Sequence, residues 1–168
     1  MGTAGSVATI RDATASDLPA IVAIYNAAIP ELATADVAPV SIESQAEWFE
    51  SHTTYQFPIW VSTSGGDVIG WLSLNRFYAK PVYDATAEVS VYVERGTRRT
   101  GIARELLSAA IDRGPGLGLK RLLGLIYADN VASLQLFADM GFDRWGMLPR
   151  ITDREGEEVD VIIVGRRV

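Results

Sequence analysis

One carboxylate sits where carboxylates are rare. Thr86 to Val93 alternates as a strand does, with Ala87, Val89, Val91 and Val93 on one face and Glu88, Ser90 and Tyr92 on the other. Acids are depleted from strands, so Glu88 is either an edge residue facing water or a group kept for chemistry. Partial burial would raise its pKa toward neutrality. A carboxylate tuned in that way is a general base, taking a proton directly or through one water.

A second chemical feature follows at once. Arg95-Gly96-Thr97-Arg98-Arg99-Thr100-Gly101 is a basic, glycine-bearing turn that runs into a helix with Ile102, Leu106, Ala109 and Ala110 facing inward. A helix start leaves its first N–H groups without intrahelical partners, and the helix dipole adds positive potential there. A pyrophosphate fits such a cradle. Gly101 permits close backbone approach, Ala103 keeps the next position small, and Arg98, Arg99 and Arg104 supply charge. The later run Gly114-Pro115-Gly116-Leu117-Gly118 follows a helix and precedes a strand. That is the reverse of a nucleotide loop, so it reads as a helix stop and turn.

Composition removes other chemistries. A chain of 168 residues is one domain's length. With 48% hydrophobic and 21% charged residues it is a packed globular protein, not a disordered one. Cysteine is absent, which removes disulfides, thiolate nucleophiles and Cys-based zinc sites. The one histidine, His52, lies in the polar run Ser51 to Thr54 and reads as a surface or capping residue; no metal is expected. A net charge of −6 argues against nucleic acid as a partner. No apolar run approaches the ~20 residues that span a bilayer, and the N-terminus shows no secretion signal. A cytoplasmic protein without a membrane partner is the expectation.

The elements that must position these groups read off in order. Val7 to Arg11 is a short strand. Ser16 is the expected N-cap of a helix carrying Leu18, Ile21, Val22 and Tyr25 on one face, with Asp17 and Pro19 in its first turn. Pro30 and Pro39 bracket a loop, and Ser41 or Ser44 caps a short helix with Ala46, Trp48 and Phe49. Ile59 to Val61 and Val68 to Phe77 pair about the turn Gly65-Gly66-Asp67. After the strand-turn-helix come a strand from Arg121 to Tyr127 and a helix opening at Asn130, with Val131, Leu134, Leu136 and Phe137 apolar. Two strands near Trp145 to Ile151 and Val159 to Val164 close the chain. Trp48, Trp60, Trp71 and Trp145 fall on apolar positions, as core or dimer contacts. The charge run Asp153, Arg154, Glu155, Glu157 and Glu158 reads as a solvated turn. The expectation is one domain over residues 1–168, with 1–6 flexible, of the α/β (α+β) class around one mixed sheet.

The spacing Arg98-x-x-Gly101-x-Ala103 resembles the acetyl-CoA signature of the GNAT acetyltransferases, Q/R-x-x-G-x-G/A. The strand before it, the helix after it, and the second helix from Asn130 to Met140-Gly141-Phe142 are similar to that family too. The likeness runs from Ile10 to the last strand. Tyr83-Asp84-Ala85-Thr86-Ala87-Glu88-Val89-Ser90-Val91-Tyr92-Val93 is similar to the phosphinothricin acetyltransferase branch, in which T-x-E-x-S-V-Y-V precedes the CoA turn. Ile24-Tyr25-Asn26 and Pro39-Val40-Ser41 are similar to it as well.

The resemblance implies a GNAT acyl-CoA N-acyltransferase fold, a central and mostly antiparallel sheet flanked by helices. It implies an enzyme moving the acetyl group of acetyl-CoA to the primary amine of a small, amino-acid-like molecule of the phosphinothricin or methionine sulfoximine type. Glu88 would be the base. Val91, Tyr92 and Val93 would hold the pantetheine arm and supply the oxyanion donor. Arg98, Arg99, Thr100, Gly101, Ile102, Ala103 and Arg104 would hold the pyrophosphate, and Asn130 and Ser133 the rest of the cofactor. The substrate carboxylate would fall to Lys80 and to the position of Tyr78, with Arg76 two residues earlier; a solvated surface is the alternative for Arg76 and Lys80. A homodimer is implied too.

Two positions depart from the relatives. Phe137 stands where many carry a tyrosine that protonates the leaving thiolate. Val159, ahead of Asp160-Val161, stands where the branch often has a histidine. No dedicated general acid is visible, and water is left to protonate a thiol of pKa ~8.5. Two other functions compete. One is acetylation of a protein or peptide, which needs an open groove. The other is an acyl-CoA-binding regulator without catalysis, favoured by Phe137 and Val159 and opposed by Glu88.

Overall fold

The computed structural model describes residues 8–52 and 54–168. The expected flexible start, 1–6, and Val7 of the expected first strand lie outside them. Strands β1 (Thr9–Asp12), β2 (Ile59–Ser64), β3 (Asp67–Arg76) and β4 (Thr86–Val93) form an antiparallel meander. β5 (Arg121–Tyr127) joins β4 in parallel. The hairpin of β6 (Asp143–Arg154) and β7 (Glu157–Arg167) completes the sheet with β7 inside, in the order β1-β2-β3-β4-β5-β7-β6. The expected mixed, mostly antiparallel sheet is therefore present, with one parallel junction.

Strand alternation splits the core in two. Leu72, Leu74, Ala87, Val89, Leu122 and Ile126 point to the face covered by α3 (Ile102–Arg113) and α4 (Val131–Asp139). Ile59, Val61 and Trp71 point to the face covered by α1 (Leu18–Ala28) and α2 (Ile42–Glu50), against Ile21 and Ile24. Leu106 and Leu107 of α3 are fully buried, whereas Ala109 is only half-buried. Val131, among the apolar residues of α4, is 70% exposed at the helix start. Among the described residues no helix is long and apolar enough to cross a membrane.

The start of α1 corrects the reading of Ser16. The cap is Thr14, followed by a 3-10 turn at Ala15–Asp17. Asp17 reaches back to the Thr14 N–H at 2.7 Å and binds Arg11 at 2.7 Å. A T-x-x-D reciprocal cap satisfies more end groups than Ser16 alone. Ser41 rather than Ser44 caps α2, its hydroxyl accepting from the Ser44 N–H at 3.1 Å.

Arg11, followed by the Thr14 hydrogen bonds, holds the Asp17 carboxyl at a pKa of about 2, below its ordinary 3.8. A lowered folded-state pKa stabilises above the unfolded value and is lost as pH falls through the folded one. Stability should therefore drop between about pH 4 and pH 2. Asp17→Asn should remove roughly 1–2 kcal/mol at pH 7, discounted because Arg11 is partly solvated. Urea midpoints of the two proteins at pH 7 and pH 2.5 check this: the gap should close at the lower pH.

Candidate active site

The site begins where two strands part. β4 and β5 pair only at Thr86↔Arg121, Ala87↔Leu122 and Glu88↔Leu123. Beyond that, β4 stays with β3 as far as Val93↔Gly70, and β5 stays with β7 as far as Tyr127↔Val161. Each follows its other neighbour, and a wedge opens between them. The Glu94 N–H donates to Ile69 on the β3 side. Alternation then aims the N–H and C=O of Val91 and Val93 across the gap. An extended chain could pair with them as an added strand.

The wedge widens into a cleft of about 1030 Å³ that runs through the sheet. Its floor carries Glu88, Ser90, Ser73 and Asn75, and Tyr25, Trp48, Trp71 and Tyr92 form an aromatic wall. Trp71 and Tyr92 lie 4.9 Å apart between centroids, and Tyr25 and Tyr92 5.1 Å. Glu88 is half-buried and has no hydrogen-bond or ion-pair partner among the described residues. Burial pushes its pKa up from the ordinary carboxylate value. Burial also pushes up the hydroxyls of Tyr92 and Tyr25, which stay neutral.

At the other end, Gly101 caps α3 in the left-handed conformation, φ +95°. Glu105 is the first residue to bond back, to the Gly101 carbonyl at 2.9 Å. The N–H groups of Ile102, Ala103 and Arg104 are thus without helical partners. Arg98 lines the cleft beside them, and with Arg95 it grips Glu31 at 2.7 and 2.8 Å. A carboxylate already occupies the place an anion would take. Asn130 caps α4, accepting from the Ser133 N–H at 3.2 Å, so these two cleft residues are fixed together.

The cleft brings together Glu88, Val91, Tyr92, Val93, Arg98, Ala103, Asn130 and Ser133. Tyr92 enters it by its side chain, since its backbone faces β3. Arg99, Thr100, Gly101, Ile102 and Arg104 form the turn beside it. Ile102 is 6% exposed in the core and offers only its backbone. The Arg104 side chain is turned to Asp139 at 3.0 Å.

The three substrate residues expected from sequence are not among the cleft residues. Arg76 alternates with Asn75 onto the opposite face, pairs with Asp84 at 2.7 Å and lies over the Phe57 ring. Tyr78 meets Tyr83 edge-on at 5.2 Å, and Lys80 is exposed in the loop. Phe137 and Val159 are buried, at 3% and 7% exposure, so neither position holds an acid.

Sequence reasoning missed Arg154, which sits in the charge run taken for a solvated turn. It is 7% exposed and lines the cleft. Its guanidinium binds Asp129, donates to the Leu32 carbonyl at 3.1 Å and lies over the Tyr127 ring. Tyr127 donates to the Thr34 carbonyl at 3.1 Å, and Tyr25 to Asp36 at 2.6 Å. Groups from three separate elements therefore pin the loop between α1 and α2 over the cleft. Arg154→Met keeps the length but loses both hydrogen bonds. It should lower stability by about 1–2 kcal/mol, as a thermal melt would show. Among the described residues no group of three or more metal-ligating side chains is placed to hold a metal ion.

Residues 21–142 match the Acetyltransferase (GNAT) family. The chain is 40% identical to "Putative phosphinothricin acetyltransferase YwnH" of Bacillus subtilis, over 95% of this chain and 99% of the relative. It is 34% identical to an L-methionine sulfoximine/L-methionine sulfone acetyltransferase of Pseudomonas aeruginosa, over 92% and 91%. Its fold matches a GNAT superfamily phosphinothricin acetyltransferase from Sinorhizobium meliloti solved in complex with AcCoA. That match has a TM-score of 0.89 and 29% identity, over 96% of this chain and 88% of the other. A parted strand pair, a basic turn onto a helix N-terminus and these matches lead to one conclusion: the chain belongs to the GNAT family of acetyl-CoA-dependent acetyltransferases.

Proposed function

We propose that this protein acetylates the primary amine of a small, amino-acid-like molecule of the phosphinothricin or methionine sulfoximine type, with Glu88 as general base. The observation that carries this is the setting of Glu88: half-buried, unpartnered, raised in pKa and on the floor of the cleft. The names of the relatives support the substrate class.

Acetyl-CoA would lay its pantetheine arm along Val91 and Val93 and its pyrophosphate against Arg98 and the N–H groups after Gly101. The substrate ammonium would meet the faces of Tyr25, Trp48, Trp71 and Tyr92, which attract a cation. Glu88 takes a proton from it, and the free amine attacks the thioester carbonyl. As the C–N bond forms, the carbonyl electrons move to oxygen, which accepts from the backbone N–H of Val91. That donor is fixed in advance. Collapse breaks the C–S bond and releases the CoA thiolate. Tyr92 and Tyr25 are weak donors once burial has raised them, so water takes the second proton from the acylated nitrogen and water protonates the sulfur, leaving a neutral amide and a thiol. Arg154 is a buried cation lining the cleft, and in this reading it replaces Arg76 as the positive counterpart of the substrate carboxylate. Tyr78 and Lys80 keep a proposed role at the rim. The edge strand β6 exposes Trp145, Met147, Leu148 and Ile151, which supports a homodimer.

The test is thiol release from acetyl-CoA against amino acids, methionine sulfoximine, phosphinothricin, polyamines and short peptides. Release with an amino-acid-like amine is expected. Release with peptides alone would replace the reading by protein acetylation. Tight acetyl-CoA binding with no release at all would favour a non-catalytic binder.

A further inference from the structure

Behind the cleft floor lies a chain of polar side chains that the acetyl-transfer reading does not use. His52, just past the end of α2, places Nδ1 2.7 Å from the Trp48 carbonyl and Nε2 3.0 Å from the Asn75 Oδ1. Its ring meets Trp48 edge-on at 4.9 Å. The Trp48 indole N–H donates to the same Asn75 oxygen at 3.4 Å. Both nitrogens of His52 face oxygens, and the indole N–H, a donor whatever the state of the ring, fixes the Asn75 amide with its NH2 toward the sheet. That NH2 donates to Ser73 at 3.1 Å and to Ser90 at 3.4 Å. Turning the amide over would set NH2 against the indole N–H, so the orientation is held from the α2 side.

The chain ends beside the base. Asn75 is paired with Glu88 across β3 and β4, and both line the cleft. Ser90 lies on the same strand face as Glu88, about 7 Å along. Its oxygen accepts from Asn75, and its own O–H has no acceptor among the described residues. That O–H is free to point into the cleft, between Glu88 and the open backbone of Val91.

We propose that Ser90 holds a water that carries the amine's proton to Glu88, and that Asn75 and His52 are positioning residues aiming the Ser90 hydroxyl. This rests on the reading of Glu88 as base. The water accepts from Ser90 through one lone pair and from the ammonium through the other. As the ammonium proton moves to the water, one of the water's own protons moves to Glu88. The amine is left neutral, Glu88 is protonated and the water is restored. Donation from Ser90 keeps the water's hydrogen directed at the carboxylate.

The experiment compares Ser90→Ala, His52→Leu, His52→Gln, the Ser90→Ala/His52→Leu double variant and Glu88→Gln in the acetyl-transfer assay, with a thermal melt of each. Ser90→Ala should lower kcat about tenfold with KM for acetyl-CoA unchanged, the loss of one directed hydrogen bond. His52→Leu should lower it about threefold or more, and His52→Gln, whose Nε2 can still donate to Asn75, should restore it. The double variant should be no slower than Ser90→Ala, because the two act in series. A wild-type kcat in Ser90→Ala overturns the proposal. So do equal losses in the two His52 variants, or losses that multiply in the double variant. If Glu88→Gln is inactive while Ser90→Ala is unimpaired, only this inference fails; an active Glu88→Gln removes the base itself.

Discussion

Glu88→Gln should lower kcat by about 10²–10⁴-fold, the range general-base catalysis supplies. The substitution is nearly isosteric, and Glu88 holds no other side chain in place, so the fold should be unaffected. KM for acetyl-CoA should stay within about twofold, because in the proposed mode the thioester donor lies along β4 and α3 rather than at the carboxylate. A loss confined to kcat marks an interaction made only in the transition state. Residual activity should climb with pH, since an amine that deprotonates by itself needs no base. An equal fall in acetyl-CoA affinity would instead make Glu88 a structural residue.

Gly101→Asp should weaken acetyl-CoA binding about 100-fold, roughly 2.7 kcal/mol. Two effects act together. The backbone at φ +95° disfavours any side chain, although the space around a Cβ there is open. The new carboxylate would sit at the start of α3, beside N–H groups without helical partners, and would repel a pyrophosphate. Gly101→Ala carries only the backbone strain and should lose about tenfold less. Calorimetric titration with CoA separates the two, and matching losses would show that charge at the turn is irrelevant.

The strands and the turn onto α3 could be read from the sequence because their signals are local. The spans of β4 and β5 match the expected strands, since alternation and the flanking turns bound them. The turn onto α3 combined glycine, arginine and helix periodicity within ten residues. The acceptor side could not be read in that way. Tyr25, Asp36, Trp48, Asn75 and Arg154 come from five separate stretches, and only the folded sheet places them around Glu88. Asn75 carried a faint signal as a polar residue on the Trp71-Ser73-Asn75 face of an apolar strand. Arg154 carried none, because a buried arginine inside a charge run looks like its solvated neighbours. His52 caps α2 as expected, and its reach to Asn75 depends on where β3 lies beneath it. Arg76 lies apart from the cleft residues for a related reason: one residue of alternation places it on the far side of the sheet from Asn75.

The central claim is that Glu88 accepts the proton of the acceptor amine, and the pH dependence of kcat/KM tests it most directly. The raised Glu88 pKa means that the active, ionised form is lost as pH falls through a value above the ordinary carboxylate range. In the wild type kcat/KM should break at that value, falling tenfold per pH unit below it, whereas in Glu88→Gln it should climb with pH through that value without a break. The same break in both proteins would contradict the claim.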